Sequence, residues 1–235
     1  MAEDLEASAS DLVLQVSLLG SPELSFAGQR LPLPATRKAL ALLAYLVLNR
    51  GKPQPRDRLV YLFWGDRPAE KARSSLSTAL WQIGRCLSAK GYLLSEAQTV
   101  QFNPRLPLWL DVDQLETGVS QPDLHGLGSA LALYRGDFLE GSYEEWIIRE
   151  RYRLENLFLD GLVRWMAGHE SAGDHRLALA AAQRLLTYDP LREEAYRSAM
   201  RAWVSLGQRN LALECYHRCC EILRAELNTQ PMLET

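Results

Sequence analysis

The sequence predicts a mainly α protein with a small β component, mixed in its first half and all-helical in its second. Three observations predict it. Short runs alternating apolar and polar residues are confined to the part before about residue 110. Beyond it, apolar residues recur at steps of three and four. A segment that begins at Gly173 also returns at Gly207, and this separation of 34 residues is the period of the tetratricopeptide helical hairpin.

Residues 1–11 carry Glu3, Asp4, Glu6 and Asp11, with no basic or apolar stretch, so they read as an acidic tail and not a secretory signal. In LVLQVSLLG (Leu12–Gly20), Leu14, Val16 and Leu18 alternate with Val13, Gln15 and Ser17, the pattern of a half-buried strand. ELSFAGQRLPL reads as a hairpin around Ala27-Gly28-Gln29. TRKALALLAYLVLNRG is a helix with Ala39, Leu42, Leu43, Leu46 and Val47 as its buried stripe and Gly51 expected as its terminating glycine. RDRLVYLFW (Arg56–Trp64) is a second helix, with Leu59, Leu62 and Phe63 facing in, and Gly65–Pro68 breaks it. KARSSLSTALWQIGRCL (Lys71–Leu87) is a third helix, whose apolar positions Leu76, Ala79, Leu80, Ile83 and Leu87 form one stripe. YLLSEAQTVQFN (Tyr92–Asn103) is a second hairpin, and LWLDVDQLE is a strand end entering a helix, with Asp113 as the expected cap. Strands, three helices and a hairpin in this order make a winged helix-turn-helix over residues 12–110.

Residues 111–235 read as a tetratricopeptide-like helical domain. LGSALALY and SYEEWIIRERYRLENLFLDGLVRWMAG are helices, and the repeat aligns Leu177 with Leu211, Ala178 with Ala212, Leu179 with Leu213 and Arg184 with Arg218. Between the units, Asp189 is expected to cap a helix that has Pro190 in its first position. NTQPMLET offers a polar tail where a closing helix is expected, so the natural protein is expected to run further.

Net charge is −3, which alone speaks against a nucleic-acid partner, but the charge is segregated. From Arg30 to Lys90 there are 12 Lys/Arg against 3 acids, and from Val119 onward 13 against 17. A basic block of this kind is a footprint for phosphate if its charges share a face.

These residues resemble a known family. TRKALALLAYLVLNRGKP, LFWGDRPAEKARSSLSTALWQIGRCL, YLLSEAQTVQFNP and LWLDVDQLE resemble, in running order, the OmpR/PhoB-type winged helix of the antibiotic-regulatory (SARP) branch. YRGDFLEG, Trp146, YDPLREEAYRSAMRAW and GQRNLALECYHRC resemble the bacterial transcriptional activator domain that accompanies it. Together they cover nearly all of residues 12–227. The resemblance implies a sequence-specific activator that binds promoter DNA beside RNA polymerase, often as a dimer, with an ATPase or sensor segment following in larger members. Family members often carry arginine where this chain has Ser77, Thr78 and Gly84.

The third helix is the expected reader. Its polar face holds Arg73, Ser74, Ser77, Thr78, Trp81 and Arg85, with Lys71 near its start. Hydroxyls suit base edges, and the cations suit phosphates. Arg37 and Lys38 on the first helix, Arg56 and Arg58 on the second, and the wing at Gln98–Gln101 with Thr99 complete the expected surface. Two readings of Trp81 stand, stacking at the groove or packing on a neighbouring domain or second protomer, and the second is preferred. Asp66 and Arg67 lie in the WGDRP turn, where the resemblance implies polymerase contact and the plain reading is a solvated turn.

No catalytic, cofactor or metal site is expected. The chain has no Walker-type phosphate loop, no His-Glu-x-x-His, no nucleophile elbow and no zinc-spaced cysteine pair. Cys86, Cys215, Cys219 and Cys220 form no disulfide framework and read as small core residues in a reducing compartment, the cytoplasm. His125, His169, His175 and His217 are scattered, and Asp137 reads as a turn residue. No membrane span is expected. A protein-interaction adaptor whose winged helix no longer holds DNA is the alternative function.

Overall fold

The computed structural model describes residues 13–87 and 91–235, so the tail expected over residues 1–11 lies outside the described residues. The chain divides into two compact units, Met1–Gln114 with Leu133–Leu154 and Leu115–Ala132 with Glu155–Thr235. The units are therefore not two consecutive stretches.

In the first unit, β1 (Leu14–Ser17), β2 (Glu23–Phe26) and β3 (Gln29–Leu31) form an antiparallel meander. Leu14 and Val16 are fully buried and Gln15 is exposed, as the alternation requires. The β2–β3 turn is two residues, Ala27 and Gly28, both at positive φ, the geometry that matches strand twist. Helix α1 (Arg37–Leu48) starts where the Thr36 hydroxyl accepts the Ala39 N–H at 3.2 Å. Besides the expected stripe, α1 buries Ala41, Ala44 and Tyr45, so it runs through the core. It is closed by Asn49, whose amide donates to Tyr45 O, and not by Gly51, which does not adopt the left-handed conformation a terminating glycine takes.

After β4 (Gln54–Pro55), α2 (Arg56–Trp64) buries Leu59, Phe63 and Trp64. Leu62 is only half-buried, because it lies about 100° round the helix from Phe63 and Trp64 takes the inward place. Gly65 ends the helix, and a Cβ there would sit 2.6 Å from Tyr61 O. Helix α3 (Ala69–Cys86) follows Pro68 and buries Ala72, Leu76, Ala79, Leu80, Ile83 and Cys86. The wing strands β5 (Leu93–Ser95) and β6 (Thr99–Phe102) join β4 in a sheet of order β4-β6-β5. Strand β7 (Leu108–Leu110) runs parallel to β1 and closes the first sheet as β3-β2-β1-β7.

Helix α4 (Asp111–Ser120) begins directly on β7. Asp111 is 1% exposed, and its Oδ2 accepts the N–H groups of Leu18 at 2.7 Å and Leu19 at 2.8 Å. Its Oδ1 accepts Val112 N–H at 2.9 Å. Asp113, the expected cap, lies inside the helix and pairs with Arg50. Asp111 takes the buried place instead, because the N–H groups needing an acceptor are at the end of β1.

The returning segment docks on that same end of β1. Gly20 donates to Asp137 O at 3.1 Å, Leu139 donates to Leu18 O at 3.1 Å, and Leu19 bridges Phe138. Gly20 has φ +95°, and a Cβ on it would meet Arg135 at 3.2 Å. Arg151 donates to the carbonyls of Phe138, Leu139 and Ser142 at 3.1–3.2 Å and pairs with Asp137 at 3.5 Å. Trp146 stands edge-on to Tyr45, Phe63 and Phe138, with centroids 5.3–6.1 Å apart.

The second unit takes residues from α4, from α5 (Leu124–Leu133) and from α6 (Glu145–Ser171), then holds α7 (His175–Tyr188), α8 (Glu193–Ser205) and α9 (Arg209–Leu227). Gly173 and Gly207 have φ +75° and +78°, and each precedes a helix by two residues, so the repeat is structural. Ala178 and Ala212 are both buried. Leu179 is 7% exposed but Leu213 is 62% exposed. Asp189 does not cap α8. It lies in the turn, pairs with Arg192 at 2.9 Å, and leaves the helix to start at Glu193.

Burial pushes the Asp111 carboxyl above its ordinary value, against the pull of three backbone N–H donors. Replacing it by alanine leaves three buried N–H groups without this acceptor, and the Asp111→Ala protein is expected to lose about 2–4 kcal/mol in denaturant unfolding. Asp111→Asn keeps one acceptor and should lose less. A carboxyl raised in the folded state stabilises below its unfolded value, about 4, and that share fades as pH rises through the folded value. The gap between wild type and Asp111→Asn should therefore narrow as pH rises across that window.

Candidate nucleic-acid interface

The interface is built on α3. With Leu76, Ala79, Leu80 and Ile83 turned into the unit, the opposite side of the helix must face out. Arg73, Ser77, Trp81 and Arg85 follow one another at steps of four, flanked by Ser74 and Thr78, and all six are exposed. Lys71 is exposed two residues before Arg73. Small side chains occupy the middle of this surface and larger ones its two ends.

Each charged or aromatic group on the face has a partner within the unit. Arg73 pairs with Asp57 of α2 at 3.7 Å, a loose exposed contact. The Arg85 guanidinium lies 4.9 Å from the centre of the Trp81 ring. Trp81 itself is 60% exposed. The hydroxyls turn inward along the helix: Ser77 donates to Arg73 O at 3.1 Å and Thr78 to Ser74 O at 3.0 Å.

The wing is fastened to α2 by Arg56. Its Nε donates to Glu96 O at 2.9 Å, its Nη2 to Ser95 Oγ at 2.7 Å, and its backbone N–H to Gln98 O at 2.9 Å. Thr99 closes the tip, with its hydroxyl on the Glu96 carboxylate at 3.2 Å. Arg56, Asp57, Arg73 and the wing thus form one connected surface. Arg58 is exposed on the same helix.

Two of the expected cations are engaged with backbone carbonyls. The Lys38 ammonium is half-buried and donates to Phe63 O at 2.5 Å, where it offsets the carbonyl end of α2. Arg37 reaches Gly141 O at 3.2 Å. Asp66 and Arg67 are exposed in the α2–α3 turn, and Arg67 donates to Ser75 Oγ at 3.2 Å. Asp111 and Arg151 bind backbone far away in the chain and carry no local signal in the sequence.

Among the described residues, no group of three or more His, Cys, Asp or Glu could hold a metal ion, and no helix is long and apolar enough to cross a membrane. All four cysteines are free thiols. Burial, with Glu193 adding to it, pushes the Cys219 thiol up to about 11, which makes it a poor nucleophile at neutral pH.

A winged helix with an exposed polar helix, in a chain that continues into helical repeats, has the architecture of a transcription regulator. Residues 112–235 match the bacterial transcriptional activator domain, and the chain belongs to that family. It is 27% identical, over 93% of its length, to the transcriptional regulatory protein MoaR1 of Mycobacterium bovis, and covers 75% of that protein. It is 27% identical over 81% of its length to the regulatory protein AfsR of Streptomyces coelicolor, of which it covers 20%. It shares its fold with Mycobacterium tuberculosis EmbR, solved in complex with a low-affinity phosphopeptide, at a TM-score of 0.71 and 22% identity. That match covers 94% of this chain and 62% of the EmbR chain. The resemblance to the antibiotic-regulatory branch therefore holds, and the chain is a transcriptional regulator of that type.

The placement of Lys38 separates two roles. Lys38→Met should lower unfolding stability by about 1 kcal/mol, since it removes a cation from a half-buried helix C-terminus. Its DNA affinity at fixed salt should stay within about twofold of wild type, a change too small for a lost phosphate contact.

Proposed function

We propose that this regulator activates transcription by binding promoter DNA through α3 and the wing. The observation that carries the reading is the single exposed face of α3, with Arg73, Ser74, Ser77, Thr78, Trp81 and Arg85, in a winged helix of this family. The N-terminal part of α3 enters the major groove. Lys71, Arg73 and Arg85 with Arg56 and Arg58 approach phosphates, and Thr99 brings the wing to the backbone. Asp66 and Arg67 form the turn offered to RNA polymerase. The helical repeats serve self-association, polymerase contact or control by a signal. The protein acts in the cytoplasm as a binding protein and catalyses no reaction.

The engaged arginines favour keeping the adaptor reading as the rival. In it the polar face of α3 meets protein. Salt distinguishes the two, because each neutralised phosphate contributes a slope of about −0.9 to log K against log salt, whereas an apolar contact contributes none.

The test is selection from a random duplex pool, followed by titration at low and physiological salt. One enriched site is expected, with binding weakened by salt and lost in Arg73→Ala with Ser77→Ala. Asp57→Asn should raise affinity about two- to fivefold, because it frees Arg73 and removes a charge that repels phosphate. No enrichment at either salt would overturn DNA binding in favour of the adaptor.

A further inference from the structure

The middle of the α3 face carries hydroxyls where an arginine would read guanine, and these hydroxyls have one chemical character left. A serine or threonine hydroxyl has one proton and two lone pairs. The Ser77 proton is committed to Arg73 O at 3.1 Å and the Thr78 proton to Ser74 O at 3.0 Å. What both residues show to the outside is oxygen lone pairs and, on Thr78, a methyl group. The two arginines of the face sit at its ends, one tied to Asp57 and the other lying over Trp81.

We infer that Ser77 and Thr78 read A·T base pairs, by accepting the adenine N6 amine and touching the thymine methyl, and that they discriminate against guanine. The inference rests on the proposed binding of DNA by α3. In the major groove the donors are the amines of adenine and cytosine, and guanine shows only the acceptors N7 and O6. An acceptor placed on an acceptor leaves both unpaired, and that is the source of discrimination. Cytosine also offers an amine, but only the A·T pair presents both a donor and a methyl on its major-groove edge, the two kinds of group that Ser77 and Thr78 can meet. Guanine would be tolerated only if the hydroxyls gave up their helix carbonyls.

The experiment uses the duplex enriched in the pool selection. Adenines are replaced singly by 2-aminopurine, which still pairs with thymine but moves the amine to the minor-groove edge. Thymines are replaced by uracil, which lacks the methyl, and guanines by 7-deazaguanine, which lacks N7. At one or two adjacent A·T pairs, 2-aminopurine should weaken wild type about 5- to 20-fold and uracil about two- to fivefold. The same replacements should have no effect on Ser77→Ala with Thr78→Val, whose fold is checked by its unchanged unfolding midpoint. The inference is overturned if 2-aminopurine costs nothing at every position, if its cost persists in the double variant, or if the double variant removes a 7-deazaguanine effect. In those cases an enriched site still exists and DNA binding stands. Failure to enrich any site would overturn both.

Discussion

The fold of the first unit depends on one buried carboxylate. Asp111 sits where β7 becomes α4, and its oxygens take the N–H groups of Leu18 and Leu19, more than ninety residues earlier in the chain. A buried, unpaired N–H is costly, so the end of β1 is fixed wherever those two groups find an acceptor. Once fixed, the same two residues have their outer edge free. Leu18 O then accepts Leu139 N–H, and Leu19 bridges Phe138. Arg151 holds the carbonyls of Phe138, Leu139 and Ser142, and Trp146 enters the aromatic group of Tyr45, Phe63 and Phe138. The motif YRGDFLEG is thereby part of the winged-helix unit, although it follows two helices that contribute to the other.

This dependence explains what was legible in the sequence. Helices and strands were, because their periods follow from local geometry: α3 shows its buried stripe in the spacing of Leu76, Ala79, Leu80 and Ile83 alone. The exposed face of α3 was legible for the same reason, as its complement. The partners of the acids were not legible where they lie far away in the chain. Thr36 meets a N–H three residues on, but the choice between Asp111 and Asp113 was decided by β1, and no local pattern contains that. Asp189-Pro190 reads as a helix start, yet Arg192 draws the Asp189 carboxylate into the turn. Lys38 could be assigned to a phosphate as readily as to Phe63 O, because a sequence does not show which carbonyls a cation will find.

The repeat separates pattern from environment more sharply. Gly173 and Gly207 adopt the same left-handed turn, since two helices must reverse direction within a few residues at both places. Leu179 and Leu213 occupy equivalent positions, yet one is buried and the other is mostly exposed. Turn geometry belongs to the repeat itself and recurs with it. Burial belongs to the neighbours, and it need not recur. The 34-residue period therefore locates the helices but says nothing about which of their apolar residues is covered.

The same distinction bears on the α3 face. A basic block in a sequence suggests a strong field, but Arg73 beside Asp57 and Arg85 over Trp81 are each partly answered within the protein. Their pull on phosphate is weaker than the count of 12 Lys/Arg implies. Non-specific attraction is lowered with it, because that attraction comes from phosphates alone. A reader with weak phosphate attraction has to draw discrimination from the groups at the base edges. On the proposed reading these are two hydroxyls whose protons are already bound to their own helix. Such groups cannot turn donor without breaking a helix contact, so their acceptor character is fixed before DNA arrives. A flexible arginine offers more binding energy, but it can also reach the wrong guanine or a neighbouring phosphate. The small, pre-set hydroxyls of Ser77 and Thr78 offer less energy per contact and fewer alternative partners, and so favour selectivity over affinity.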